Sequence, residues 1–254
     1  MKLAIVGYGS MGHEIEFIAR KRGHQCLTVD PAAGDADAKE LVRDSLFDVQ
    51  VALDFTHPAS VMENIRFYTS HSLNAVIGTT GWHDHLAEVT KLVNESGIGL
   101  IWGANFSIGV NLFCRIIGQA AQLMDRIDDY DVYIHEDHHK RKADSPSGTA
   151  GMLEKIILNR ISRKKRAVHE CLNHRIAPDE MHVTSTRAGS IPGRHIVGFD
   201  SDADSIELIH TARNRSGFAL GAVLAAEFIK DRRGFLGVED MMDCILTGQG
   251  GNNV

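Results

Sequence analysis

The sequence has little cysteine, no surplus of positive charge and no long hydrophobic run, and each absence narrows what the chain can be. Its four cysteines, at 26, 114, 171 and 244 of 254 residues, form no C-x-x-C pair. They suggest neither a disulfide framework nor a zinc ribbon, and they read as reduced thiols of a cytoplasmic chain. The net charge of -6 argues against a general nucleic-acid or membrane-surface binder. No apolar stretch is long enough to span a bilayer. The start, MKLAIVGYGSMG, has an apolar run too short for a signal peptide, and glycines end it. What remains is 43% hydrophobic and 24% charged, ordinary globular protein for one large domain or two modest ones.

Along the chain, buried apolar runs alternate with helical patterns. KLAIVG reads as a strand, the pattern of Ile15, Ile18 and Ala19 as a helix stopping at Gly23, and QCLTVD as the next strand. VQVALDF, a helix opening at Thr56-His57-Pro58, NAVIGTTG, a helix over 83–95 and GIGLIWGANFS continue the series. Such alternation indicates a doubly wound parallel sheet of Rossmann type. After Asn105 the rhythm changes. A long helix over 109–126, the alternating DYDVYIHE, a helix over 148–162 and three short alternating segments within 180–212 suggest an α+β domain with a mainly antiparallel sheet. A strong helix ending at Gly234 and a short one over 238–246 are expected to return to the first domain. The expected division is 1–108 with 218–254 for the first domain, and 109–217 for the second. No internal repeat or low-complexity segment stands out, only the short polar end GQGGNNV.

Gly7, Gly9 and Gly12 form G-x-G-x-x-G between a strand and a helix. Gly7 suits the tight turn, Gly9 the close approach of a pyrophosphate and Gly12 the packing of helix on sheet, while the helix N-terminus favours the anion. The turn Gly7, Tyr8, Gly9, Ser10, Met11, Gly12 is therefore a candidate cofactor site. Asp30, ending the next strand, would accept from an adenosine ribose and repel a 2'-phosphate. PAAGDADAK after it holds no cation before Lys39, which points to NADH as preferred cofactor with NADPH possible. Gly78, Thr79 and Thr80, at another strand end, could sit beside the nicotinamide half.

Residues 135–150, HEDHHKRKADSPSGTA, are unusually basic for an acidic chain. Two bland readings compete here. His135, His138 and His139 with Glu136 and Asp137 could bind a metal, but adjacent loop histidines seldom point at one ion, and no metal is expected. The charges could also be a solvated face. Against that, Ser147, Gly148 and Thr149 open a helix, and their hydroxyl and amide donors make a carboxylate seat. Cations and a helix start within one loop suit a small dicarboxylate.

The loop pattern E-x-H-H-x-x-K-x-D-x-P-S-G-T-A over 136–150 resembles the signature of the dihydrodipicolinate reductase family. VGYGSMG, DFTHP, GTTG, ANFSIGVN, TRAGSIPGRHIVGF and IELIHTARNRSGFALGA follow in that family's order, so the resemblance covers nearly the whole chain. Two departures stand out. The glycine turn is one residue shorter than is common in the family, and Pro31 stands where some members have arginine.

The resemblance implies reduction of a cyclic, unsaturated dicarboxylate, with water lost from its 4-hydroxy form, to tetrahydrodipicolinate in lysine and diaminopimelate biosynthesis. It implies His138 and Lys142 as the catalytic pair, with His139, Ser147, Gly148 and Thr149 holding substrate. It also implies Gly103, Ala104, Asn105 and Phe106 as cofactor contacts that double as a hinge, Arg215 as a contact to cofactor or hinge, and a homotetramer. The chemistry agrees, because hydride addition to a carbon conjugated with an imine builds negative charge towards the ring nitrogen. Lys142 is the better proton donor, its neighbours His138, His139 and Arg141 easing release; His138 is a second acid/base or a positioning group. Two rival readings remain. One is a related two-domain enzyme such as homoserine or aspartate-semialdehyde dehydrogenase. The other is a nucleotide-sensing module, which would have no use for the histidine-lysine-serine loop.

Overall fold

A computed structural model of the chain describes residues 1–248; the last six residues of the polar end lie outside the described residues. The chain divides into two compact units, Met1–Ile108 with Arg215–Val254, and Gly109–Asn214. In chain order the first unit contributes β1 (Lys2–Val6), α1 (Ser10–Lys21), β2 (Gln25–Val29), β3 (Val51–Asp54), α2 (Pro58–Ser70), β4 (Asn74–Ile77), α3 (Leu86–Ser96) and β5 (Gly99–Trp102). Then come α4 (Ile108–Met124), β6 (Asp131–His138), α5 (Gly148–Arg160), β7 (Arg166–Val168), β8 (Glu180–Arg187), β9 (Arg194–Asp200) and β10 (Ser205–Thr211). The chain returns to the first unit with α6 (Ser216–Ile229), β11 (Gly234–Gly237) and α7 (Val238–Thr247).

The first unit is built on a six-stranded sheet in the order β11-β5-β4-β3-β1-β2, with every pairing parallel. Its central strands are buried on both faces, which is why they read as continuous apolar runs in the sequence. Helix α6 is hydrophobic nearly all round, with eight of its residues buried, and it packs on α1, β3 and β4. Such a helix belongs inside a fold. Glu227 near its end takes both Arg22 and His24, at 2.8 and 2.7 Å, tying it to the turn between α1 and β2. Strand β11 is absent from the sequence reading, because four residues, none fully buried, show no period; it pairs with β5 at the sheet edge.

The second unit holds a five-stranded sheet in the order β10-β9-β6-β8-β7. Strand β9 is antiparallel to β10 and β6, as the sequence suggested, but β8 runs parallel to both β6 and β7. The sheet is therefore mixed. The physical reason is two return connections, one through α5 before β7 and one over residues 169–179 before β8, each carrying the chain back to the starting end; a hairpin would have forced the antiparallel sense. One face of the sheet packs against α4 and α5. Val132, Ile134, Val183, Val197 and Phe199 meet Val110, Phe113, Ile117, Leu153 and Ile157 in a single core. On β6 the alternation Val132, Ile134, Glu136, His138 keeps to that buried face, so two polar side chains end an otherwise apolar row.

Candidate functional site

The candidate cofactor positions all lie in the first unit, immediately after the carboxyl ends of strands. The glycine turn follows β1, Asp30 follows β2, Gly78 to Thr80 follow β4, and Gly103 to Phe106 follow β5. This is where open parallel sheets bind ligands, and the strand order reverses between β1 and β3 beside the turn. Gly7 has φ +90°, and a Cβ there would lie 2.5 Å from the Phe55 carbonyl oxygen; one on Gly12 would lie 2.4 Å from the Gly7 oxygen. Both are glycines because backbone approaches backbone. Helix α1 starts from Gly9, which has no side chain to cap it, so its first amides are open to an anion. The Thr79 hydroxyl is buried and has no hydrogen-bond partner among the described residues, while its carbonyl accepts from Trp82 Nε1 at 2.8 Å. An open helix end and an orphaned buried hydroxyl at a strand end fit a dinucleotide.

At the expected ribose end, Asp30 accepts from the Tyr8 amide at 2.7 Å and from the Ala32 and Ala33 amides at 2.8 and 3.0 Å. Burial works against its charge, but these donors, with Lys39 beyond them, hold its carboxyl below the usual value. Asp30 is thus an anion fixed by the glycine turn. Ala38 bridges Val29 as an extra parallel pairing, and this brings Lys39 back so that its Nζ donates to the Ala33 carbonyl. The tertiary structure therefore sets a cation on the loop where the local sequence offered none.

The candidate substrate residues lie in the second unit, around the end of β6 and the start of α5. Glu136 has no exposed surface. Its carboxylate accepts from the Ser147 amide at 2.9 Å, from the Ser147 hydroxyl, from Ser185 Oγ at 2.8 Å and from Arg187 Nη2 at 2.8 Å. Burial opposes its ionisation, yet donors from His195, Ser147, Arg187 and Ser185 hold the carboxyl well below the ordinary carboxylate range. His138 Nδ1 is 3.3 Å from the same carboxylate, though not in hydrogen-bond geometry. Burial pushes His138 down to about 4; Glu136 pulls the other way, and His195, Lys142 and Arg187 add to the depression. His138 is accordingly neutral at neutral pH.

Ser147 is the N-cap of α5, its Oγ accepting from the Ala150 amide at 3.2 Å. Both of its own donors go to Glu136, so it presents the helix end and has neither left for a ligand. Gly148 and Thr149, the first residues of the helix, are more exposed than Ser147. His139 carries a buried Nδ1 with no hydrogen-bond partner among the described residues. Lys142 pairs with Asp144 at 2.8 Å, and its charge acts on His138.

Sequence reasoning weighed Glu136 only as a member of a metal set or a charge run and as the start of the loop pattern, and it gave Arg187 and His195 no role in the site. The available signal was the buried face of β6, where polar residues continue an apolar period. His135 and Asp137 point to the other face, so the five-residue metal set weighed from sequence is split by the pleat. Glu136, His138 and His195 do bring ligand-type atoms within 4.8 Å of one another. Four protein donors already engage that carboxylate, one of them a guanidinium that would oppose a cation.

Comparison with known proteins adds three findings. Residues 1–106 match the family described as dihydrodipicolinate reductase, N-terminus, and residues 109–242 match dihydrodipicolinate reductase, C-terminus. The chain is 37% identical over 243 residues to 4-hydroxy-tetrahydrodipicolinate reductase of Christiangramia forsetii, covering 95% of this chain and 98% of that one. It is 36% identical to the Methanococcus aeolicus enzyme of the same name over 72% of this chain and 67% of that one. Among solved structures, dipicolinate-bound dihydrodipicolinate reductase from Paenisporosarcina sp. TG-14 shares the fold, with TM-score 0.75, 24% identity and coverage of 93% of this chain and 97% of that one.

Proposed function

The chain belongs to the dihydrodipicolinate reductase family and is an NAD(P)H-dependent reductase of 4-hydroxy-tetrahydrodipicolinate in lysine and diaminopimelate biosynthesis; from that premise we propose how its residues divide the work. When bound, NAD(P)H supplies a hydride. Lys142 delivers the proton that meets the charge developing on the ring nitrogen. His138, neutral and buried, is a poor acid at neutral pH and serves as a fixed neighbour beside Glu136, within reach of the Lys142 charge. His139, whose Nδ1 has no hydrogen-bond partner among the described residues, and the amides of Gly148 and Thr149 together with the Thr149 hydroxyl hold the two carboxylates; Ser147 acts by fixing the helix end.

The observation that carries this reading is the grouping, on one loop, of a lysine, an orphaned histidine nitrogen and an exposed helix start, which together match a dicarboxylate. The cofactor residues are the glycine turn, Asp30, Gly78 to Thr80 and Gly103 to Phe106, and NADH is preferred because Asp30 is held as an anion. The working form is a cytoplasmic homotetramer. What supports assembly is β10, an edge strand whose Ile206 and Ile209 are exposed, a liability that proteins usually cover. Light scattering that returns a monomer at working concentration would remove that part.

The test of the function is NADH oxidation with the condensation product of pyruvate and aspartate semialdehyde. Turnover is expected with this substrate and not with aspartate semialdehyde alone; NADH oxidation with aspartate semialdehyde alone, its aldehyde taking the hydride to give the alcohol homoserine, would place the chain among the related dehydrogenases.

A further inference from the structure

Across the second sheet, four neighbouring strands contribute one row of polar side chains. His210 on β10 stands opposite His195 on β9, His195 opposite Glu136 on β6, and Glu136 opposite Ser185 on β8. Lateral neighbours share a face of a sheet, and here the shared face is the one that buries Val132 and Ile134. An ionised carboxylate in such a place is costly unless it is fully paired, and an apolar residue of equal size is often as stable or more so. Stability alone therefore does not account for Glu136.

Its partners do suggest a role, because three of them belong to the substrate half-site. Glu136 holds both the amide and the hydroxyl of Ser147, the residue from which α5 starts. It holds Arg187 at 2.8 Å, and the same guanidinium nitrogen reaches on to the Asp144 carbonyl at 2.6 Å, in the middle of the loop. His138 is its third neighbour, at 3.3 Å. One buried carboxylate thus fastens the loop at Asp144 through arginine and at Ser147 directly. His195 closes the arrangement from the β9 side, with Nε2 at 3.2 Å from Ser147 Oγ.

We propose that Glu136 is the positioning residue of the substrate half-site, with Arg187 as its extension: together they hold the basic loop and the start of α5 at the spacing a ring dicarboxylate requires. The inference rests on the dicarboxylate reading above. Glu136 itself touches no substrate. It acts by limiting where the Gly148 and Thr149 amides and the Lys142 segment can sit, and geometry of this kind governs both affinity and the reaction step.

Two measurements on the full-length protein separate this inference from the function it rests on. The first is calorimetric titration with pyridine-2,6-dicarboxylate, and the second is steady-state turnover. Glu136→Gln keeps the volume but replaces an acceptor oxygen with a donor facing Ser147 and Arg187. It is expected to weaken dicarboxylate binding at least tenfold and to raise KM similarly, with NADH affinity unchanged. Glu136→Asp, which keeps the charge, is expected to recover part of the loss. Should Glu136→Gln fail to fold, Arg187→Lys keeps a cation but its ammonium ends one bond short of the nitrogen that joins Glu136 to Asp144, and a several-fold loss of dicarboxylate affinity is expected. Wild-type affinity in Glu136→Gln, or in Arg187→Lys if that is the variant that folds, overturns the proposal, as does a Gln loss that Asp does not relieve. A wild type that binds the dicarboxylate without turnover would instead count against the reaction and leave the positioning role standing.

Discussion

Lys142 Nζ lies 2.8 Å from the Asp144 carboxylate, and that carboxylate also accepts from the Gly148 amide at the start of α5. The Lys142 hydrogen bond is the main reason that the Asp144 carboxyl is held below its ordinary value. A carboxylate of the protein thus already sits on a cation and a helix-end amide, the two kinds of donor proposed for the substrate.

If Asp144 competes with substrate for these donors, removing it frees them. Because Asp144 is more than half exposed, the pair is worth at most about 1 kcal/mol, or roughly fivefold in affinity. Asp144→Ala is therefore expected to bind pyridine-2,6-dicarboxylate up to about fivefold more tightly in a calorimetric titration. Weaker binding would show that Asp144 orients Lys142 and does not compete.

Chemistry and binding are expected to separate by residue. Lys142→Ala loses a positioned acid and should lower kcat by at least about two orders of magnitude, with NADH affinity little changed. His139→Ala and Thr149→Val touch carboxylates present in ground and transition state alike, so they should mainly raise KM. Steady-state kinetics with a fluorescence titration of NADH checks both. If the latter two variants lower only kcat, the roles are reversed.

Cofactor choice turns on Asp30 and Lys39. The fixed anion of Asp30 opposes a 2'-phosphate, and Pro31, Ala32 and Ala33 add no cation, which supports a preference for NADH of about tenfold in kcat/KM, near 1.4 kcal/mol. Residual use of NADPH is expected to depend on Lys39, held on the Ala33 carbonyl. Lys39→Ala should reduce kcat/KM for NADPH more than for NADH, and Asp30→Ala/Pro31→Arg should shift preference towards NADPH. Equal or better use of NADPH by the wild type would refute the preference.

The buried histidine makes stability depend on pH. Folding depresses His138 from 6.5 to about 4, so between these values the unfolded chain binds a proton that the folded chain does not. Stability therefore rises with pH through this window and is lost as pH falls from 6.5 towards 4, by up to about 3 kcal/mol from this group. Glu136, depressed from the carboxylate range, loses its contribution in the same direction at still lower pH. Urea unfolding across the window should show the slope in the wild type and a flatter one in His138→Gln. An unchanged slope would mean that the histidine is more accessible than its burial implies.

Much of the molecule was legible in local sequence because local forces decide it. The apolar runs of β1, β3 and β4, the glycine turn into α1, and the Ser147 cap of α5 depend on residues a few positions apart, where periodicity and turn chemistry act. The sense of β8 was not legible, since a long connection permits either direction until packing selects one. Nor was β11, whose four residues carry no period of their own and join the sheet edge by pairing with β5, between α3 and α7.

The site divides along the same line. The sequence by itself determined which chemical groups the loop from 135 to 150 carries and that a helix starts within it. Only the tertiary structure decided which of them face each other. Arg187 reaches Glu136 from 51 residues away, and His195 from a strand that pairs with β6 on its other side. Register across a sheet depends on how every strand packs, so no local pattern specifies such a pair. The same holds for Lys39, which neighbours the Asp30 loop because Ala38 pairs with Val29, a contact made by the fold and invisible in the stretch that follows Asp30.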